Sequence, residues 1–171
     1  MTDLPIPKDD LTRGLTLTGV DDPQTRRIAL AGDVYTILVS GEQTAGRYCL
    51  IDMQVLDGGG PPPHRHDFEE MFTLLDGELE VTFRGETRTV RAPATINVPA
   101  NAPHSFRNVS GRSAHMLCVC APAGQDAFFA AIGTTLEAVE TTPPRLSEAE
   151  QAAKGELAAS LAAAYRTEFL T

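Results

Sequence analysis

His64-Arg65-His66, Glu70 and His104 are the residues of this chain whose types and spacing could do chemistry. Residues two apart on a strand point to one face, so His64 and His66 share a side and Glu70 keeps their parity. A short turn at Asp67-Phe68-Glu69 would blur that parity without destroying the convergence. Two imidazoles and a carboxylate are therefore expected on the inner wall of a sheet, with His104 able to close the set. Three neutral nitrogens and one oxygen suit a divalent first-row metal better than they suit calcium or magnesium. The donor types do not choose among Fe, Mn, Ni, Co, Cu and Zn. One such ion per chain is the expected cofactor, since the sequence shows no internal repeat.

These residues need elements to carry them. Gly58-Gly59-Gly60-Pro61-Pro62-Pro63 cannot be regular structure, because glycine lacks constraint and proline lacks a donor. It reads as a loop that delivers His64 and His66 at its exit. Upstream, residues 34–40 are β-like and break at Gly41. Residues 47–56 then alternate Cys49, Ile51, Met53 and Val55 against Tyr48, Asp52 and Gln54, with the apolar set toward a core. Residues 70–75 and 78–83 are expected to form a hairpin across Asp76-Gly77. In its second arm Leu79, Val81 and Phe83 are the dry face and Glu78, Glu80 and Thr82 the wet one. Gly85, Pro93 and Pro99-Ala100-Asn101-Ala102-Pro103 punctuate further short strands at 86–91, 95–98, 104–109 and 114–121. Many short strands with frequent turn signals indicate a mainly β fold, an antiparallel sandwich or barrel.

The flanks differ in character. Residues 1–31 show little internal pattern and are expected to be an arm. Residues 125–132 read as a short helix, and Ser147-Glu148-Ala149-Glu150 after Pro143-Pro144 is a capping box that opens a second. Ala153, Leu157, Leu161 and Tyr165 recur every four residues as a narrow apolar stripe. That stripe either packs against the outside of the β domain or meets a second subunit. The organisation expected is an arm over 1–31, a β-barrel over 32–122 and a helical extension over 123–171.

At 171 residues the chain suits one domain with a substantial core. The net charge of −9, with twelve dispersed arginines, argues against nucleic acid or an anionic membrane as partner. No stretch approaches the roughly 20 apolar residues of a membrane span. The polar, proline-containing start does not read as a secretory signal. Three cysteines without framework spacing are expected to be buried, reduced thiols of a cytoplasmic protein. Cys118 and Cys120 share a strand face, but no histidine or third cysteine sits at a zinc-site spacing from them. The glycine run lacks the Lys and Ser/Thr of a phosphate-binding loop, and no nucleophile elbow is present.

Gly58, five residues, His64-Arg65-His66, three residues, Glu70, six residues and Gly77 together match the first conserved motif of the cupins. Pro99, His104 and Asn108 keep the second motif, while Asn101 stands where glycine is usual and Pro93 where its leading glycine belongs. Asparagine tolerates the left-handed conformation, so the first departure is mild, and the second concerns a turn rather than the ligands. Residues 33–121 thus resemble a cupin. The run 32–44 is similar to the first strand of single-domain cupins of the quercetin dioxygenase kind. The resemblance implies a cupin-type antiparallel β-barrel, or jelly roll, outside which the C-terminal α-helix read from the capping box would lie. It also implies metal ligands His64, His66, Glu70 and His104, and a dioxygenase-like oxidoreductase acting with dioxygen on a flavonol-like or enolisable aromatic substrate. Glu70 would then be catalytic, taking the substrate's hydroxyl proton.

Strand parity places Phe72 and Leu74 with Glu70, and Phe106 with His104, so these residues and Met53 are expected to line the substrate pocket. Arg65 should point outward, and His115 fits neither motif and reads as structural or exposed. Two other functional classes stay open. One is an oxygen-independent isomerase, lyase or decarboxylase that keeps the metal; the other is a non-enzymatic small-molecule binder. A homodimer is the assembly expected of such a barrel.

Overall fold

The alternating segments fold as two antiparallel sheets whose apolar faces pack on each other. The computed structural model describes residues 6–137, 140 and 142–170. The larger sheet has seven strands in the order β11 (Thr134–Leu136), β1 (Arg26–Leu30), β2 (Asp33–Val39), β3 (Cys49–Val55), β10 (Ala114–Ala121), β5 (Glu69–Asp76) and β8 (Ala94–Val98). The smaller has five, ordered β12 (Thr167–Phe169), β4 (His64–His66), β9 (His104–Arg107), β6 (Glu78–Phe83) and β7 (Glu86–Arg91). This is the jelly-roll arrangement that the cupin resemblance implies, with the core between the sheets. Alternation decides what is inside: Cys49, Ile51, Met53 and Val55 of β3 are buried, as are Ala114, Met116, Cys118 and Cys120 of β10.

The first helix packs on β1 and β3 of the larger sheet, and the second on the first helix and on β12 of the smaller sheet. Helix α1 (Gln125–Ile132) buries Phe128, Phe129 and Ile132, and the Phe129 ring sits 5.2 Å from Tyr35. Helix α2 (Glu148–Ala162) starts at the expected capping box: the Ser147 side chain accepts from the Glu150 N–H, and Glu150 accepts from the Ser147 N–H. Leu161 and Tyr165 of its stripe pack toward the core, Tyr165 at 5.1 Å from Phe128. Leu157 of the same stripe is 41% exposed and Ala153 is exposed, so only the C-terminal half of the stripe is used.

Three expectations need correction. Strands β5 and β6 are not a hairpin, because β5 pairs with β10 and β8 whereas β6 pairs with β9 and β7. Gly77, at φ +89°, passes so close to β10 that an added Cβ would lie 2.8 Å from the Ala114 Cα. The chain uses this close approach to change sheets. The tight hairpin is instead β6–β7 across Arg84-Gly85, whose φ values of 50° and 86° suit a primed two-residue turn. Secondly, the arm expected over 1–31 ends in a sheet strand, since β1 pairs with both β2 and β11 and buries Ile28 and Ala29. Five residues beginning Arg-Arg are too few to display an alternation. Thirdly, the extension expected to be helical supplies one strand to each sheet, β11 and β12, each only three residues long.

Candidate metal centre

The loop before β4 is held by two buried polar residues. The fully buried Asp33 carboxylate accepts from the backbone N–H of Leu56 at 2.8 Å and of Gly60 at 3.0 Å, and from the Tyr35 hydroxyl at 3.2 Å. Burial pushes Asp33 up to about 6, against the pull of those three donors. Asn108 donates to the carbonyls of Val55 at 2.8 Å and Arg112 at 2.6 Å, and its backbone exchanges hydrogen bonds with Gly58 and Gly59. Gly60 sits at φ +123°, where a Cβ would come 2.1 Å from the Phe106 carbonyl oxygen. No side chain fits there.

From this anchored loop β4 turns His64 and His66 inward and Arg65 outward, where Arg65 pairs with Glu168 of β12 at 2.6 Å. His104 of β9 lies directly opposite His64 in register. At Asp67-Phe68 the chain leaves the smaller sheet, and Glu70 therefore points inward from the larger one. The four residues do not share one sheet wall, as simple parity suggests. Three imidazoles face a carboxylate across the interior. Asn101 has φ 68°, the left-handed conformation that its place in the second motif requires.

The four side chains are buried, and one donor atom from each lies within 4.8 Å of all the others. Glu70 Oε2 is 3.0 Å from His66 Nε2 and 3.1 Å from His104 Nε2. Each ring's other nitrogen faces a backbone carbonyl: His64 Nδ1 that of Pro62 at 2.9 Å, His66 Nδ1 that of Phe68 at 2.9 Å and His104 Nδ1 that of Ala102 at 3.0 Å. A carbonyl can only accept, so Nδ1 carries the proton in all three rings and Nε2 is the donor atom left for an ion. The Phe68 ring stacks on His66 at 3.9 Å with an interplanar angle of 3°, fixing its plane.

The electrostatics fit the same reading. Burial opposes ionisation of Glu70, but the His104 and His66 rings, with Nε2 at 3.1 and 3.0 Å from Oε2, hold its carboxyl well below the usual carboxylate range. Burial, then the neighbouring His104, push His64 down to about 4, so it stays neutral. Burial also disfavours charge on His104, yet Glu70 raises it overall. The pocket is thus organised around an anionic oxygen that attracts a cation, and its donor set fits a divalent transition metal.

Phe72 and Phe106, in edge-to-face contact at 5.4 Å, line a small apolar cavity of about 10 Å³ next to His104. Met53 and Leu74 are buried in the core and are not on that cavity. A cleft of about 400 Å³ lies outside the smaller sheet, lined by Pro61, Pro62, Pro63, Thr82, Ser105 and Arg107 among others. His115 bonds to Asp52 at 2.6 Å, away from the centre. Sequence reasoning missed Phe68 and the thiols of Cys118 and Cys120, which reach the other oxygen of Glu70 at 3.4 and 3.6 Å. Only the strand register, with Cys120 opposite Glu70, brings them together.

Residues 52–120, which hold all four clustered side chains, match the family model described as the cupin domain. This stretch of the chain is a cupin domain. The chain is 32% identical over 88 residues to quercetin 2,3-dioxygenase of Bacillus subtilis (strain 168), a match that spans 51% of this chain and 26% of that protein. It is 33% identical over 104 residues to polyketide synthase CurC of Streptomyces cyaneus, spanning 59% of this chain and 64% of that one. The chain thus covers about a quarter of the first relative and under two thirds of the second. Among solved structures, the polyketide cyclase RemF from Streptomyces resistomycificus superposes with a TM-score of 0.55 at 21% identity, over 79% of this chain and 89% of RemF. That likeness is one of fold. Among the described residues, no helix is long and apolar enough to cross a membrane.

Proposed function

We propose that this chain is a metal-dependent enzyme of enolate chemistry, with one divalent ion held by His64, His66, Glu70 and His104. The substrate class is a flat, enolisable small molecule, either a poly-β-ketone or a hydroxylated aromatic ketone. One observation carries the reading. One ring nitrogen of each histidine and a carboxylate oxygen lie within 4.8 Å of one another at one buried point, while every Nδ1 faces a backbone carbonyl. When bound, the ion supplies Lewis acidity toward the neighbouring oxygens of a 1,3-dicarbonyl or hydroxyketone.

The chain's residues do the rest. Glu70 is the buried carboxylate that takes the substrate proton at Oε2 and returns it later. The histidines hold their geometry through their Nδ1 bonds while Glu70 moves, because those bonds come from backbone. Phe72 and Phe106 offer an apolar, aromatic wall to a planar ligand, and water is kept out by burial. The cavity there is too small for such a ligand, so these two rings must shift on binding.

Ring closure of a poly-β-ketone without dioxygen is the reaction favoured, because the relatives named for polyketide chemistry match this chain over the larger spans. Oxygenative cleavage of a flavonol is the second reading, supported by the match to quercetin 2,3-dioxygenase. Metal-loaded protein should convert a linear triketone to a cyclic aldol product under argon. Conversion of quercetin with stoichiometric oxygen uptake, and none of the triketone, would select the second reading. Absence of both reactions with every ion would sink the enzyme assignment. We also infer a homodimer, in which Leu11, Leu15 and Leu17, each more than 80% exposed, would be covered. A monomer by light scattering would end that idea.

A further inference from the structure

Three buried thiols stand directly behind Glu70. Across adjacent strands Cys49 of β3 is paired with Cys120 of β10, and Cys120 with Glu70 of β5, all three facing inward. Cys118 lies two residues along on the same face. Glu70 divides its oxygens between two clusters: Oε2 faces the histidines, while Oε1 lies 3.4 Å from Cys118 Sγ and 3.6 Å from Cys120 Sγ. The two sulfurs are 3.6 Å apart.

Those separations have a chemical meaning. With metal–sulfur bonds of about 2.3 Å and metal–oxygen bonds of about 2.0 Å, a tetrahedral ion sets its sulfurs about 3.8 Å apart and sulfur and oxygen about 3.5 Å apart. The triangle formed by Cys118 Sγ, Cys120 Sγ and Glu70 Oε1 is close to one face of that tetrahedron. We propose that Cys118 Sγ, Cys120 Sγ and Glu70 Oε1 are three donors of a second metal site for a thiophilic cation such as zinc(II). Glu70 bridges it to the histidine site. Soft sulfur donors on one side and imidazoles on the other separate the two sites by ion preference. Each thiol that ligates releases its proton to solvent, so loading is accompanied by proton release and weakens as pH falls. The inference shares Glu70 with the proposed enzyme site, and the test therefore reads sulfur ligation rather than turnover.

The experiment is a cadmium(II) titration of the full, reduced chain, following ultraviolet thiolate-to-metal charge transfer and metal content. Two ions per chain are expected in the wild type, the charge-transfer band growing with one of them. C118S/C120S should take one ion, without the band, and keep the wild-type circular dichroism. Should that double variant fail to fold, C118S alone is expected to weaken the band-forming ion at least tenfold and leave the other unchanged. His64→Ala should keep the band, which separates failure of the histidine site from failure of this one. A single ion without a sulfur band in the wild type would overturn the proposal and leave the thiols as hydrogen-bond donors to Glu70. So would a band that persists in C118S/C120S.

Discussion

Replacing Asp33 by Asn tests how the ligand loop is held, and the sign of its pH dependence is fixed by the structure. Asp33 is fully buried and accepts from Leu56, Gly60 and Tyr35, and its pKa rises from 3.8 to about 6. A carboxyl that is easier to protonate when folded binds more protons in the native state than in the unfolded one between those values. Stability from this group is therefore complete below pH ~3.8 and is lost as pH rises through about 6. The shift of roughly two units corresponds to about 3 kcal/mol, of which about 2–3 kcal/mol falls between pH 4 and pH 7. Asp33→Asn removes that slope but sets an amide N–H against a backbone N–H, at a pH-independent cost of about 1–3 kcal/mol. Urea denaturation at pH 4 and pH 7 should find the variant less stable at pH 4 and near or above wild-type stability at pH 7. A wild-type-to-variant difference that stays constant across this range would refute the reasoning.

Other outcomes rest on the same geometry. Gly60→Ala places a methyl group against the Phe106 carbonyl in a left-handed conformation, and should cost about 2–4 kcal/mol in urea unfolding while weakening metal retention. Glu70→Gln keeps the three imidazoles and should still load at high metal concentration, but lose about 10²–10⁴-fold in turnover of the triketone; undiminished turnover would remove Glu70 from proton transfer. Truncation after Tyr165 removes β12 from the edge of the ligand strand. The Arg65–Glu168 and Arg166–Asp67 pairs lost with it are exposed and worth only about 0–1 kcal/mol each, so the main consequence is an unpaired edge. Amide exchange at residues 64–66 should accelerate while β3 and β10 are unaffected.

Much of this arrangement is legible in the sequence where one residue type has one physical use. The Gly-Pro loop, the inward pair His64 and His66, the alternation in β3 and β10 and the capping box at Ser147 all come from local rules, and each is found. Asp76-Gly77 shows the limit of such rules. The chain bends at Gly77 without forming the hairpin turn, because its close approach to Ala114, some 37 residues away in sequence and invisible to any local pattern, accompanies a change of sheet. Strands β11 and β12 are not legible because three residues cannot express a period, and they are strands only by virtue of edges already built. Spacing foretells the convergence of the four ligand-type residues but not its division between two sheets. Cys118 and Cys120 read correctly as buried thiols; that they meet Glu70 requires the β5–β10 register. Phe72 and Phe106 line the small cavity beside His104, and parity says nothing of its volume.

Cobalt(II) titration of the full chain, followed by visible d–d absorption and metal content, tests the histidine centre most directly. The wild type is predicted to bind one ion with the spectrum of nitrogen and oxygen ligation, and His104→Ala, with its circular dichroism intact, to lose that spectrum and that ion. An unchanged spectrum and stoichiometry in His104→Ala would contradict the assignment of His64, His66, Glu70 and His104 as one metal centre.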